Sequence, residues 1–227
     1  MDKTKLKRHD LVFLTSQGKD RIWHQLADNY EGGTSGLVRD ILQGADDVPG
    51  IVRRDDMAAS NGKVAIGFVH YQRLDGNRLR IGAFTNPEDI VMVMTPYEVM
   101  QRKAYADDGR TECVKTVLRL YDLAVSMDLQ VGVLGSAALE LATGLPYTDD
   151  ASDIDFIVKP TAYDKLKKFY LAAQTEGSNI NMDFEVDFPN GYGVKLAEVL
   201  MDTQTVLGKS INDVNLLKRK DILGYLQ

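Results

Sequence analysis

Cysteine is nearly absent: Cys113 is the single one in 227 residues. That excludes an internal disulfide framework and a four-cysteine zinc site. A small apolar side chain packed on a helix is the expected role of this thiol. No stretch approaches the roughly 18 consecutive apolar residues that a membrane span needs. The opening residues, MDKTKLKRHD, are charged and have no apolar run behind them, unlike a secretory signal. A soluble, cytoplasmic chain is the expectation. Positive charge is also in short supply, with 27 Lys and Arg against 33 Asp and Glu, a net charge of −6. Such a chain has no general attraction for nucleic acid; only a local basic patch could supply one. The three histidines, His9, His24 and His70, are scattered without metal-ligand spacing. Repeats and low-complexity tracts are missing too.

What is present suits a globular protein: 44% hydrophobic and 26% charged residues, with ample length for a core. The pattern divides the chain in two. Residues 1–105 read as a strand-rich N-terminal domain. Leu11–Leu14, Ile51–Arg54, Val64–Val69 and Leu79–Phe84 are short apolar or β-branched runs separated by Gly32-Gly33, Asn61-Gly62 and Asp75-Gly76. Asp75-Gly76 predicts a hairpin, and Thr95-Pro96 a helix start. A linker falls at 106–110. Residues 111–227 then alternate helices and strands. Helices are predicted at Thr111–Met127, Ser136–Ala142 and Thr161–Thr175, the last with Thr161 as N-cap. Strands are predicted at Leu129–Leu134, Ile154–Val158 and Asn181–Phe188, and a final helix or helical hairpin near the C-terminus. The fold class is α/β (α+β), with helices packed on a mixed sheet in the second half.

The chemistry concentrates in GSAALELATGLPYTDDASDIDF, Gly135 to Phe156. Successive strand side chains alternate, so Asp153 and Asp155 share one face while Ile154, Phe156 and Val158 point into a core. Two neighbouring carboxylates repel unless a cation lies beside them, and Mg²⁺, a hard ion that takes oxygen ligands, satisfies both. Gly135 and Ser136 stand where a strand turns into a helix, so backbone N–H groups there favour a phosphate. A third acid is expected from NMDFEVDF, where Asp183, Glu185 and Asp187 share a face; Asp187 is the least favoured. One of these acids is expected to complete the metal site with Asp153 and Asp155 or to serve as general base. Arg54 and Arg80 are candidates for a second phosphate clamp. Tyr147 either stacks on a base or closes a loop.

Gly135-Ser136 followed by SDIDF resembles the signature of the nucleotidyltransferase superfamily. The Ala-rich helix, then Thr143-Gly144-Leu145-Pro146-Tyr147, then Ser-Asp-Ile-Asp, resembles the phosphoribosyl-dephospho-CoA transferases, also called malonate decarboxylase holo-acyl-carrier-protein synthases. The segment from Met182 to Leu200 is similar to a later stretch of that family, with Phe184 in place of the family's glycine and Glu198 as its last acid. The resemblance implies a nucleotidyltransferase-like fold. It implies Mg²⁺-dependent transfer of a phosphoribosyl-dephospho-CoA group from triphosphoribosyl-dephospho-CoA to a serine of the acyl-carrier protein subunit of malonate decarboxylase, with release of pyrophosphate. It also implies that Gly135 and Ser136 hold the triphosphate, that Asp153 and Asp155 bind Mg²⁺, and that Asp183 or Glu185 is the third acid, either a metal ligand, for which Asp183 is the candidate, or the base that takes the serine proton. Two alternatives stand beside it: a nucleotidyltransferase acting on another small molecule, RNA or protein hydroxyl, and a non-catalytic nucleotide-binding module.

Overall fold

A computed structural model describes residues 5–54, 61–102, 109–177 and 179–226. Residues 106–108 of the expected linker lie outside them. The chain divides into two compact units, one of residues 1–95 with 145–147, the other of residues 96–144 with 148–227.

The first unit is built on a five-stranded antiparallel sheet, in the order β4-β3-β2-β1-β5. The strands are β1 (Leu11–Leu14), β2 (Gly50–Val52), β3 (Val64–Leu74), β4 (Asn77–Thr85) and β5 (Ile90–Met94). Leu11, Val12, Val52, Ile66, Phe68 and Ile81 are almost wholly buried and form its core. Asp75 and Gly76 join β3 to β4 with φ of 50° and 79°, the pair of positive values that a tight hairpin turn demands.

Two helices in this unit depart from the strand-and-loop reading of the sequence: α1 (Ser16–Leu26) and α2 (Gly32–Gln43). Helix α1 starts at Thr15, whose hydroxyl accepts from the Gly18 amide at 3.0 Å. It buries only Gly18, Lys19 and Ile22, so it carries almost no apolar stripe. Helix α2 opens on Gly32, at φ 58°, and Gly33. Those glycines read as a turn because the helix they begin is held by tertiary burial of Val38, Ile41 and Leu42. Strand β5, also unforeseen, is an edge strand with Val91 and Met92 exposed, which hides its alternation.

The second unit is a six-stranded mixed sheet in the order β11-β10-β9-β8-β7-β6. Its strands are β6 (Val131–Val133), β7 (Ile154–Val158), β8 (Met182–Asp187), β9 (Gly193–Lys195), β10 (Thr205–Lys209) and β11 (Val214–Lys218). Among the described strands only β7 and β8 run parallel. The crossover between them is a helix, as parallel pairing requires. The helices are α3 (Pro96–Gln101), α4 (Glu112–Ser126), α5 (Gly135–Thr143), α6 (Tyr163–Glu176), α7 (Leu196–Leu200) and α8 (Arg219–Leu223).

One face of this sheet is aromatic core. Phe156 stacks on Phe184 at 5.7 Å, and Phe169 of α6 meets Phe184 edge-on at 5.6 Å. The strict alternation in β7 and β8 produces this face: Ile154, Phe156, Val158, Phe184 and Val186 are all buried. The opposite face carries the candidate site, where Asp155, Asp183 and Glu185 stand beside the buried Ile157. Helix α4 starts as expected, with the Thr111 hydroxyl accepting from the Val114 amide at 3.3 Å. Gly144 closes α5 at φ 75°.

Two local expectations are corrected. Helix α6 begins at Tyr163 after Ala162, without a side-chain cap, so Thr161 is not its N-cap. The C-terminal segment is a β10–β11 hairpin followed by short α8, not a helical hairpin. Ser210 makes the turn: its Oγ accepts from the amides of Asn212 and Asp213 at 3.1 and 3.0 Å. Strand β11 is the sheet edge, and Leu216 stays 73% exposed, so burial gives it no legible period.

Candidate active site

Strand β7 sets the site. Its backbone is clamped on both sides: the Leu134 amide donates to the Asp155 carbonyl at 2.8 Å, and the Ile154 amide to the Asn181 carbonyl at 2.9 Å. The buried–exposed alternation from Ser152 to Phe156 puts Asp153 and Asp155 out of the core together. In the parallel ladder Asp155 pairs directly with Asp183, and Ile157 with Glu185. The predicted acids therefore form one row across two strands, because side chains at paired positions stand on the same face.

Gly135 borders this row. It has φ of 64°, and a Cβ added to it would come 3.1 Å from Asp155 Oδ2. Both facts call for glycine: the left-handed backbone strains any L side chain, and the carboxylate needs the space. Ser136 follows, half-buried, in the first turn of α5. The helix N-terminus and the acidic row are thus adjacent.

Electrostatics register the crowding. The Asp155 carboxyl is held above the usual carboxylate range. Loss of water around it is the main cause, although its outer edge remains open, and the charges of Asp153 and Asp183 add to it. Lys195 acts in the opposite direction. Its Nζ lies 2.6 Å from Asp183 Oδ2, and that pairing raises the lysine's own pKa. Lys195 closes β9, where it is the direct partner of Glu185. Glu185 itself reaches over Gly193: a Cβ there would fall 1.8 Å from Glu185 Oε1.

Asp187, at the far end of the same row, has a different employment. It is buried, paired with Lys159 at 2.5 Å, and accepts from the Tyr97 hydroxyl at 3.3 Å. The Lys159 ammonium lies 4.4 Å from the centre of the Tyr97 ring. Tyr147 is fully buried and donates to the Val69 carbonyl at 3.1 Å within the first unit, so it closes the loop rather than offering a stacking face. Arg54 and Arg80 are exposed residues of the first unit, Arg54 just after β2 and Arg80 opposite Val69 in β4. Glu198 accepts from the Leu207 amide at 2.8 Å and ties α7 to β10.

The sequence reading missed Glu140. It is buried on α5, four residues after Ser136, and accepts from the amide and hydroxyl of Thr148 at 2.6 and 2.7 Å. Arg110 grips it with Nε and Nη2 at 3.2 and 3.0 Å and also donates to the Thr148 carbonyl. Thr111 joins through a 2.6 Å hydroxyl contact with Thr148. This network ties the helix that begins with Gly135-Ser136 to the segment that delivers Asp153 and Asp155. The available signal was a lone acid inside an otherwise apolar helix, which must find a partner when buried.

Among the described residues no group of three His, Cys, Asp or Glu side chains is gathered to hold a metal ion. The donor set nevertheless fits a hard divalent ion. Its acids, Asp153, Asp155, Asp183 and Glu185, offer carboxylate oxygens, the ligands such an ion takes, and the neighbouring Asp153 and Asp183 charges add to the burial that raises the Asp155 pKa.

A mixed sheet with a Gly-Ser helix start beside paired strand acids is the equipment of a group transferase. Comparisons with known proteins narrow the class. Residues 7–96 match the family model of the phosphoribosyl-dephospho-CoA transferase MdcG N-terminal domain, and residues 100–220 that of its C-terminal domain. The chain belongs to the phosphoribosyl-dephospho-CoA transferase family. It is 27% identical over 228 residues to a phosphoribosyl-dephospho-CoA transferase of Bradyrhizobium diazoefficiens, covering 96% of this chain and 92% of that protein. No solved structure matches. Among the described residues no helix is long and apolar enough to cross a membrane.

Proposed function

We propose that this transferase moves the phosphoribosyl-dephospho-CoA group from triphosphoribosyl-dephospho-CoA to a serine hydroxyl of the acyl-carrier protein subunit of malonate decarboxylase, releasing pyrophosphate in the cytoplasm. One observation carries the reading: Asp155 pairs directly with Asp183 beside Gly135. Carboxylates are thereby joined to a helix N-terminus, the two halves of a phosphoryl-transfer site.

In this reading the serine Oγ attacks the phosphorus next to the ribose. The bond from that phosphorus to the bridging oxygen breaks, and pyrophosphate carries away the electron pair. Asp153, Asp155 and Asp183 would hold Mg²⁺, which when bound neutralises phosphate charge. Gly135 and Ser136 bind the triphosphate through backbone N–H groups and the serine hydroxyl. We assign Glu185, next after Asp183 on the same face, to take the serine proton. Arg54 and Arg80 are the proposed second phosphate clamp. Most of the acceleration comes from positioning and charge neutralisation.

The test follows pyrophosphate with Mg²⁺ present, comparing the dephospho-CoA donor with ATP and CTP, with and without the carrier subunit. Release that needs both the dephospho-CoA donor and the carrier supports the reading. Release from ATP or CTP without the carrier assigns a different nucleotidyl transfer. Asp153→Asn should abolish transfer with the fold intact, and near-native activity removes the site assignment.

A further inference from the structure

Lys195 borders the acidic row on β9, and nothing in the proposed transfer accounts for it. Its direct ladder partner is Glu185, yet its ammonium reaches diagonally to Asp183, at 2.6 Å. Asp183 in turn is the direct partner of Asp155. The charges that act on Lys195 are acidic: Asp183 first, then Glu198 and Asp155, and Glu185 stands opposite in the ladder. Asp183 is therefore engaged with a protein cation, in keeping with the lack of any three-acid group among the described residues. Both partners are nearly half exposed, 46% and 43%. Such pairs are weak and readily exchanged.

We propose that Lys195 is the resident counter-ion of this row, a positioning residue that holds Asp183 until an arriving divalent cation displaces it. The inference rests on the reading of Asp183 as a cation ligand. Without a cation, the ammonium offsets part of the repulsion between Asp183 and Asp155. When the cation binds, it takes over that role, and the lysine is released on its four-carbon stem. Cation binding is then a competition against a built-in ammonium, and its affinity is set below what the carboxylates alone would reach.

The test titrates Mn²⁺ into the whole, donor-free protein and counts free ion by electron paramagnetic resonance. Lys195→Met should bind Mn²⁺ about two- to fivefold more tightly than the native chain, the range set by a half-exposed pair. Lys195→Arg, which keeps the charge, should stay near native. In a background of Asp183→Asn the gain from Lys195→Met should vanish. Lys195→Gln repeats the measurement if the Met variant folds poorly. Equal or weaker binding by Lys195→Met, while the native chain binds Mn²⁺ and performs transfer, overturns this inference alone. So does a gain that survives Asp183→Asn. If native chain and variants alike bind no Mn²⁺, both this inference and the metal-dependent reading fall.

Discussion

Asp155 and Asp183 are direct neighbours across the single parallel strand pair of the second unit, and both face away from its aromatic core. The arrangement opposes stability. In the folded chain the Asp155 pKa is raised, chiefly by loss of water and then by the Asp153 and Asp183 charges. The folded state therefore holds this proton more firmly than the unfolded chain does. As pH rises above the ordinary value of 3.8, the unfolded chain ionises first and native stability falls. Asp155→Asn should thus melt higher than the native chain at pH 7 without divalent ions, and the advantage should disappear toward pH 3. Thermal denaturation at both pH values checks this, and saturating Mg²⁺ should narrow the gap at pH 7.

Cys113 gives a second pH dependence. Burial, reinforced by the Glu140 charge, pushes its thiol up to about 12 from an ordinary 9.0. Between those values the unfolded chain loses its thiol proton and the native chain keeps it, so stability declines as pH rises through this window. Cys113→Ala should show a shallower alkaline decline in denaturant titrations. At pH 8 the native thiol should react with Ellman's reagent only after denaturant is added.

Glu140 is the acid whose loss should cost most in the fold. Glu140→Ala removes the acceptor for the Thr148 amide and hydroxyl and leaves Arg110 without its bidentate partner. Stranding buried donors and breaking such a pair costs on the order of 3 kcal/mol. Glu140→Gln, which keeps one oxygen acceptor, should lose less. Urea unfolding reads the difference directly. A drop below about 1 kcal/mol for the alanine variant would show that the network does not hold this segment.

Gly193 offers a way to move Glu185 without deleting it. A methyl group at Gly193 would overlap Glu185 Oε1. Gly193→Ala should therefore displace the carboxylate and reduce transfer about as much as Glu185→Gln does, on the order of tenfold or more for a misplaced proton acceptor. Stability should change little, since the glutamate end is flexible. Single-turnover transfer with near-native melting confirms it; native activity removes Glu185 from the proton-transfer role.

Much of the site was legible because local rules produce it. Strand alternation alone put Ile154, Phe156 and Val158 on one side and Asp153 and Asp155 on the other, and a Gly-Ser pair between strand and helix marks an anion-friendly turn. The helices of the first unit were not legible. Helix α1 buries too few apolar residues to show a period, and α2 begins on glycines that locally favour a turn. Strand β11 hid because an edge strand exposes apolar side chains such as Leu216.

Sequence by itself settled the composition of the acidic row and its alternation with the core, since each follows from bond geometry over a few residues. Tertiary structure alone decided which acids meet. Register across β7, β8 and β9 set Asp155 beside Asp183, gave Asp183 to Lys195, and sent Asp187 to Lys159 instead. The physical reason is range: pairing between strands distant in sequence is selected by burial of the opposite face, where Phe156 stacks on Phe184, and no local pattern in the chain encodes it.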